Sequence, residues 1–171
     1  IDADEVVNNL LKKEINDKIK NKKYDFHYIP LINYIGKKKI TNGWMACMAP
    51  DGKFCLFRKN SKIWDDGSVH PNYKLNGNKG LKFSNSIDHY MSKDISELLS
   101  RFNRNTSLNA KDLKKRNEKL DKLFSKRKII SRFLKSYFVR GGFKSGGIGV
   151  LIAFLCSIYP FVSAIKSKQD S

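Results

Sequence analysis

The chain has 171 residues and a formal net charge of +18, from 34 Lys and Arg against 16 Asp and Glu. Its 40% hydrophobic content is too high for a disordered chain, and its length allows one ordinary domain or a small domain with an appendage. The charge requires an anionic partner, which can be nucleic acid, an anionic membrane leaflet or phosphorylated small molecules. Three cysteines without metal-ligand spacing favour free thiols in a reducing compartment over disulfides or a zinc site.

The chain begins with the acidic stretch Ile1-Asp2-Ala3-Asp4-Glu5. Its pattern is that of the end of a buried strand, in which alternation would place Asp2 and Asp4 on the same side, facing one cation. Hard divalent ions such as Mg²⁺ or Mn²⁺ prefer carboxylate oxygens and often bridge a diphosphate. A short acidic run is more often a solvated turn, so two readings compete. Neither an initiator Met nor a signal peptide precedes the stretch, and we therefore expect a fragment that starts at a metal site.

A helix and a β-rich region come next. Asn8 or Asn9 can cap a helix whose apolar face is Leu11, Ile15 and Ile19. Alternating patterns and turn formers then predict strands at residues 24–30, 31–35, 53–59, 81–83 and 87–90. Most of the aromatic residues lie in this β-rich, irregular region.

The composition changes at Ser92, where a helical pattern with Asp94 near its start begins and continues, with one break near Asn117, to about Val139. Between residues 111 and 144 there are 13 bases against three acids, interleaved with large apolar residues. This pattern predicts a basic amphipathic surface that docks on an anionic membrane. The residues proposed for docking are Arg132, Lys135, Arg140 and Lys144.

The segment Arg140-Gly141-Gly142-Phe143 ends the helical pattern, and residues 148–165 then contain no charge. A helix of that length reaches about 27 Å, the lower limit for crossing a bilayer. Ser157 and Pro160 weaken a membrane-spanning interpretation. A helix lying in the membrane interface, or packed on the domain, is the stronger expectation.

Two histidines and two aspartates are candidates for chemistry. His70 and His89 each follow a short apolar stretch of the β-rich region, where a side chain can contact a metal ion or substrate, although a lone histidine is more often structural. Asp65 and Asp66 follow Trp64 and could supply a general base, although an exposed turn is the simpler reading.

Two further pairs are candidates for binding donor or acceptor. Arg58 and Lys59, at the end of a predicted strand, could hold a diphosphate, because Arg forms bidentate contacts with phosphate oxygens. Trp44 and Trp64 could stack on a sugar or base, although core packing is the usual role of Trp. For both pairs, a binding role and an ordinary structural role remain open.

Taken in order, these pieces resemble the C-terminal part of a family 2 glycosyltransferase of the lipopolysaccharide-core type. The acidic opening is similar to the family's "IDADE" metal motif, and the segments that follow are similar to its series "GW … LFRK … W … VH", "HY", "R.N.YT..A" and "RGGF..G..G". The matching segments are Gly43-Trp44, Leu56-Phe57-Arg58-Lys59, Trp64, Val69-His70, His89-Tyr90, Arg101 to Ala110, and Arg140-Gly141-Gly142-Phe143 with Gly146-Gly147. No single motif is decisive, but the ordered series covers almost the whole chain.

The resemblance implies an α/β chain that is a fragment of a GT-A fold. Residues 1–91 would be the C-terminal part of the catalytic domain, with its β-rich acceptor side. Residues 92–145 would form the basic amphipathic helices, and residues 146–171 a membrane-associated apolar helix and tail. The implied reaction is a metal-dependent, inverting transfer of a sugar from a nucleotide-sugar donor to a lipid-linked or lipopolysaccharide acceptor. The cofactor would be Mg²⁺ or Mn²⁺, held by Asp2, Asp4 and His70, with His89 on the donor or acceptor side.

Two departures from the family pattern matter. Many relatives carry an acid directly after the "VH" pair, where this chain has Pro71, so Asp65 or Asp66 takes the place of the base. The strands that bind the nucleoside would precede Ile1, so we expect the 171 residues alone to be inactive.

The expected location is the cytoplasmic face of a bacterial inner membrane, with peripheral rather than spanning attachment and no specific nucleic-acid partner. Two alternatives stay open. A basic nucleic-acid-binding protein would account for the charge and would bind any duplex with steep salt dependence. A small membrane-anchored protein without enzymatic activity would account for the apolar segment, but not for the aspartate, tryptophan and histidine series.

Overall fold

The structure is a computed structural model that describes residues 1–47, 52–64, 73–116 and 120–169. It is mixed α/β with small sheets, which agrees with the α/β part of the predicted class. The chain divides into two compact units. The first comprises Ile1–Tyr34 and Ala49–Met91, and the second Ile35–Met48 and Ser92–Ser171. The basic helices and the apolar helix therefore belong to one unit.

The strands are short and precede most of the helical structure. They are β1 (Glu5–Val6), β2 (Phe26–Ile29), β3 (Leu31–Ile35), β4 (Lys38–Ile40), β5 (Lys53–Phe57), β6 (Lys62–Trp64), β7 (Tyr73–Leu75) and β8 (Ile87–Ser92). The α-helices are α1 (Asn9–Lys18), α2 (Ile95–Lys115), α3 (Lys126–Leu134) and α4 (Gly147–Gln169). Short 3₁₀ turns occupy Trp44–Cys47, Leu120–Leu123 and Gly142–Ser145, and a π-helical turn, Lys135–Val139, continues α3.

In the first unit, β1, β8 and β3 lie side by side in that order. The β1–β8 pair is antiparallel, with Glu5 opposite His89 and Val6 opposite Asp88. Two further antiparallel pairs, β2 with β5 and β6 with β7, complete the unit. The β1–β8 register brings the acidic start of the chain beside a histidine that lies far along the sequence.

Helix α1 covers the apolar core of this unit. Its N-terminus is capped as predicted by Asn8, whose side-chain oxygen accepts a hydrogen bond of 2.9 Å from Leu11 N. Leu11 is fully buried and packs with core residues of the strands and loops, namely Ile29, Phe83 and Ile87. Ile15 packs against this cluster, whereas Ile19, the C-cap residue of α1, is 54% exposed and does not extend the buried part of the predicted apolar face.

Glu14 fastens α1 to the loop before β8. Its carboxylate accepts hydrogen bonds from Ser84 N (2.8 Å), Asn85 N (2.9 Å) and Asn85 Nδ2 (2.8 Å). Burial acts to raise the pKa of Glu14, but these hydrogen bonds outweigh it and hold the pKa below its ordinary value of 4.5. The charged form is therefore stabilised by folding.

We expect Glu14→Gln to lower the free energy of unfolding by about 1–2 kcal/mol at pH 7, because the hydrogen bonds lose a charged acceptor. A depressed pKa contributes stability above the ordinary pKa and loses it as the pH falls through the folded-state value. The difference between variant and wild type should therefore shrink between pH 7 and pH 3 in urea unfolding. Asp17→Asn, at an exposed site on the same helix, is the control and should cause little change at either pH.

In the second unit, α2 packs along α4, and α3 packs against α4 as well. Buried residues of α2 (Leu98, Thr106, Ala110 and Leu113) and of α4 (Ile152, Ala153, Leu155 and Ala164) form its interior. Asp94 caps α2 by accepting from Glu97 N at 2.7 Å, close to the predicted start. The prediction of helix to about Val139 with one break near Asn117 agrees with the end of α2 at Lys115 and with α3 and its π-helical turn, which end at Val139; a 3₁₀ turn precedes α3.

Helix α4 is long and apolar enough to cross a membrane by length and composition, and it is the helix predicted from residues 148–165. Within those residues only Val150 and Phe154 are exposed. The Tyr159 hydroxyl donates to Asn105 O of α2 at 3.1 Å, and Lys166 Nζ donates to Asn103 O and Thr106 Oγ1 of α2. These contacts favour, of the predicted alternatives, a helix packed on its own unit.

Candidate metal and ligand-binding sites

The acidic opening forms a turn rather than the end of a strand. Glu5 N donates to Asp2 O at 3.1 Å, and β1 begins only at Glu5. The predicted buried strand over residues 1–5 is therefore wrong, and strand alternation does not set the directions of Asp2 and Asp4. The turn sends the two carboxylates to different partners.

Lys53, the first residue of β5, forms ion pairs with two of the three acids, Asp2 and Glu5. Its Nζ lies 2.7 Å from Asp2 Oδ2 and 2.7 Å from Glu5 Oε1, and the Glu5 side chain is 2% exposed. Burial acts to lower the pKa of Lys53, but its hydrogen bonds to Asp2 and Glu5 raise it above the ordinary value, and Lys53 in turn lowers the pKa of Asp2. Lys53 thus supplies the positive charge that the sequence assigns to a metal ion at Asp2.

Asp4, the third acid, lies beside His89. Asp4 Oδ2 lies 3.5 Å from His89 Nε2, and Tyr90 N donates to Asp4 O at 2.8 Å. Both side chains are partly buried, at 28% and 19% exposure. The structure therefore brings together two residues that the sequence analysis assigned to separate motifs.

Asn33 sets the orientation of His89. Its Oδ1 lies 2.6 Å from His89 Nδ1, and Asn33 is buried on the neighbouring strand β3. With Asn33 Oδ1 as the acceptor, His89 Nδ1 is the donor of this hydrogen bond. In a neutral ring Nε2 then presents a lone pair toward the Asp4 carboxylate. A metal cation placed between Nε2 and the carboxylate could be bound by both groups.

Arg58 and Lys59 are not at this cluster. They follow β5 at the end opposite Lys53, about 17 Å along the strand at 3.3–3.4 Å per residue. Arg58 Nε lies 3.9 Å from Asp25 Oδ1, and Arg58 N donates to Asp25 O. A role in holding a diphosphate beside Asp4 thus has no support in the geometry of the first unit.

Trp64 lies on an aromatic antiparallel strand pair, β6 with β7. It pairs across β6 and β7 with Tyr73, their rings meet edge to face at 5.5 Å, and Trp64 is 54% exposed. Lys62 Nζ lies over both rings, 3.9 Å from the centroid of Trp64 and 4.3 Å from that of Tyr73. An exposed indole beside an ammonium group is compatible with the predicted sugar stacking.

Trp44 belongs to the second unit, where two motifs of the resemblance meet. Gly43 N donates to Arg140 O at 2.9 Å, and Trp44 N donates to Ser136 Oγ at 3.1 Å. The Arg140 guanidinium lies 4.3 Å from the centroid of the Trp44 ring. Arg140 is thus engaged by an aromatic ring, which makes it a weaker candidate for membrane docking than the sequence suggested.

The other residues predicted to dock on a membrane differ in their surroundings. Arg132 Nη1 is buried and, among the described residues, has no hydrogen-bond partner. Lys144 Nζ lies 6.0 Å from the centroid of the adjacent Phe143 ring. Lys135 lines an open groove along α3.

The predicted base and one predicted metal ligand, Asp65, Asp66 and His70, lie outside the described residues. Within the part of the chain that the structure describes, no group of three or more His, Cys, Asp or Glu side chains is arranged to hold a metal ion. The third histidine, His27, is buried between the rings of Tyr24 and Phe83, as expected of a structural residue.

Two residues that contact the acidic opening or His89, Lys53 and Asn33, were not predicted from the sequence. Lys53 follows the Asp51-Gly52 turn and is one of many lysines, and Asn33 lies inside an otherwise ordinary strand pattern. Their partners lie 48 to 56 residues away in the chain. Local patterns carry no information on contacts of that separation.

No protein-family model, curated protein or solved structure matches the chain. The family resemblance therefore depends on the sequence motifs alone.

Proposed function

We propose that this chain is part of a metal-dependent, inverting glycosyltransferase that uses a nucleotide-sugar donor and a lipid-linked or lipopolysaccharide acceptor. The observation that carries the proposal is the contact between Asp4 and His89. These residues belong to the "IDADE" and "HY" motifs of the resemblance, are 85 residues apart in the chain, and meet at 3.5 Å through β1–β8 pairing. The meeting of the "GW" and "RGGF" motifs at Trp44 and Arg140 adds a second, independent case.

Asp4 and His89 fit a divalent cation that is held mainly by a diphosphate. Mg²⁺ commonly takes only one or two protein ligands in such sites and completes its shell with phosphate oxygens and water. The Asn33 hydrogen bond fixes the ring so that Nε2 faces Asp4, as an outer-shell partner does for a metal-binding histidine. When bound, the cation would stabilise the negative charge that develops on the leaving diphosphate.

The residues around Asp4 would tune this site without binding the cation. Lys53 neutralises Asp2 and the buried Glu5, which limits the negative charge around Asp4. The acceptor sugar would stack on Trp64 and Tyr73, and Asp65 or Asp66 remains the predicted base that removes its hydroxyl proton. The cytoplasmic membrane face and peripheral attachment are part of the same proposal, for which the apolar helix α4 gives weak support.

The test is to determine the whole reading frame that encodes this chain and to assay its product. The residues before Ile1 should form a βαβ nucleotide-binding unit, and the whole product should transfer sugar to a lipid-linked acceptor only with Mg²⁺ or Mn²⁺. NMR of the product should show an inverted anomeric configuration. An unrelated domain before Ile1, or transfer that is unchanged by chelation of divalent ions, would contradict it.

A further inference from the structure

One face of α3 and of its π-helical continuation carries a row of exposed apolar side chains, which we call the α3 ridge. It consists of Ile130, Leu134 and Phe138, spaced four residues apart, and Val139 beside them. Their exposures are 59%, 45%, 58% and 78%. Exposed apolar residues scattered singly are ordinary, but a contiguous row on one helix face marks an interaction surface.

The row beside the ridge is basic and polar. Arg127, Ser131 and Lys135 follow it at the same four-residue spacing, and together with Ile130, Leu134 and Val139 they line an open groove of about 730 Å³. The segment from residue 122 to residue 169 contains no acid at all. Its ten bases are Lys122, Lys126, Arg127, Lys128, Arg132, Lys135, Arg140, Lys144, Lys166 and Lys168.

We infer that the α3 ridge is the surface by which this chain lies on an anionic lipid leaflet, with α3 in the plane of the interface. Charge complementarity and apolar burial both select this occupant. Acidic headgroups pair with Arg127 and Lys135, while Ile130, Leu134 and Phe138 enter the boundary between headgroups and acyl chains. A nucleic-acid backbone would satisfy the bases but would leave the apolar row in water.

The residues assigned to membrane docking by the structure differ in part from those predicted from the sequence. Arg140 lies over the Trp44 ring and Arg132 has a buried Nη1, whereas Arg127 and Lys135 lie in the groove beside the exposed row. The α3 ridge would hold the enzyme at its acceptor. This biological role rests on the proposed function, whereas binding of the ridge to lipid does not.

The test is flotation of the 171-residue chain with vesicles of phosphatidylcholine and phosphatidylglycerol, and with vesicles of phosphatidylcholine alone. Binding should need the acidic lipid. The pair Ile130→Asp and Phe138→Asp should weaken it at least about tenfold, and Arg127→Gln with Lys135→Gln about 25-fold, since each surface base contributes about fivefold. Leu10→Asp, on the exposed face of α1, and Lys12→Gln with Lys13→Gln are the matched controls and should bind as wild type does.

Circular dichroism shows whether each variant is folded. If the Asp variants do not fold, the variants Arg127→Gln and Lys135→Gln still test the inference. Alkaline carbonate should release the bound chain, since it lies on the leaflet. The inference would be overturned if ridge variants and control variants bound equally, or if the chain stayed on the vesicles after carbonate. It would also be overturned if duplex DNA displaced the chain from the vesicles while the apolar variants bound as wild type does. Sugar transfer to a soluble acceptor does not depend on vesicle binding, so this outcome is separate from the test of the proposed function.

Discussion

Asp4→Asn should reduce metal-dependent sugar transfer by at least about 100-fold, equivalent to about 2.7 kcal/mol of transition-state stabilisation. The substitution keeps the shape of the side chain but removes the charge that faces His89 Nε2 at 3.5 Å. A neutral amide is a poor ligand for a hard divalent ion, so the Mn²⁺ concentration for half-maximal rate should rise as well. The measurement is the initial rate of transfer by the whole reading-frame product across a Mn²⁺ titration.

Asp2→Asn is the matched control, because the ion pair of Asp2 is with Lys53 at 2.7 Å, whereas Asp4 is the carboxylate 3.5 Å from His89 Nε2. We expect it to lower the rate by less than about tenfold, with little change in the Mn²⁺ requirement. If Asp2→Asn is as damaging as Asp4→Asn, both carboxylates bind the ion and Lys53 must leave them when the metal enters. Full activity of Asp4→Asn would exclude Asp4 as a ligand.

Gly149→Ala should lower the free energy of unfolding by about 3 kcal/mol, and the melting temperature by about 6–12 °C. A Cβ atom at Gly149 would overlap the carbonyl oxygen of Gly142 and lie 3.2 Å from Ser145 Cβ. The obstacle is the backbone of the 3₁₀ turn Gly142–Ser145 and not the flexible end of a side chain, so the first turn of α4 must move away. Thermal unfolding followed by circular dichroism at 222 nm measures the effect.

Gly147→Ala, two residues earlier in the same helix, separates this steric effect from helix propensity. A Cβ atom there would meet nothing within 4 Å. Because Ala favours helix over Gly, we expect no loss of stability, and a gain of up to about 0.5–1 kcal/mol. Equal melting temperatures for the two variants would show that α4 does not approach Gly142 as closely as described.

Part of the local structure could be predicted from sequence, whereas the short strands β4, β6 and β7 were not predicted and residues 81–83 form no strand. Strand β3 lies at Leu31–Ile35 as its pattern predicts, and Asn8 caps α1 because its short polar side chain reaches the free backbone N–H of Leu11. The break at Gly141 also follows from local chemistry, since its φ of +67° is readily adopted only by glycine. These features depend on neighbours a few residues away.

The candidate site could be predicted only in part. The residue types at Asp4 and His89 indicated chemistry, but their contact depends on the pairing of β1 with β8, and the pairing of Lys53 with Glu5 spans 48 residues. Helix α4 shows the same limit, because an uncharged stretch is equally suited to lipid and to a protein interior. Only the packing of α2 and α3 against it distinguishes the two.

The order of elements in the second unit has a consequence for synthesis on the ribosome. Helices α2 and α3 both pack against α4, which follows them in the chain. Chains grow at about 5–20 residues per second and domains fold as units, so the basic helices exist for seconds before residues 147–169 are made. During that time their apolar faces have no internal partner. The core of the second unit therefore cannot be completed until α4 has been made.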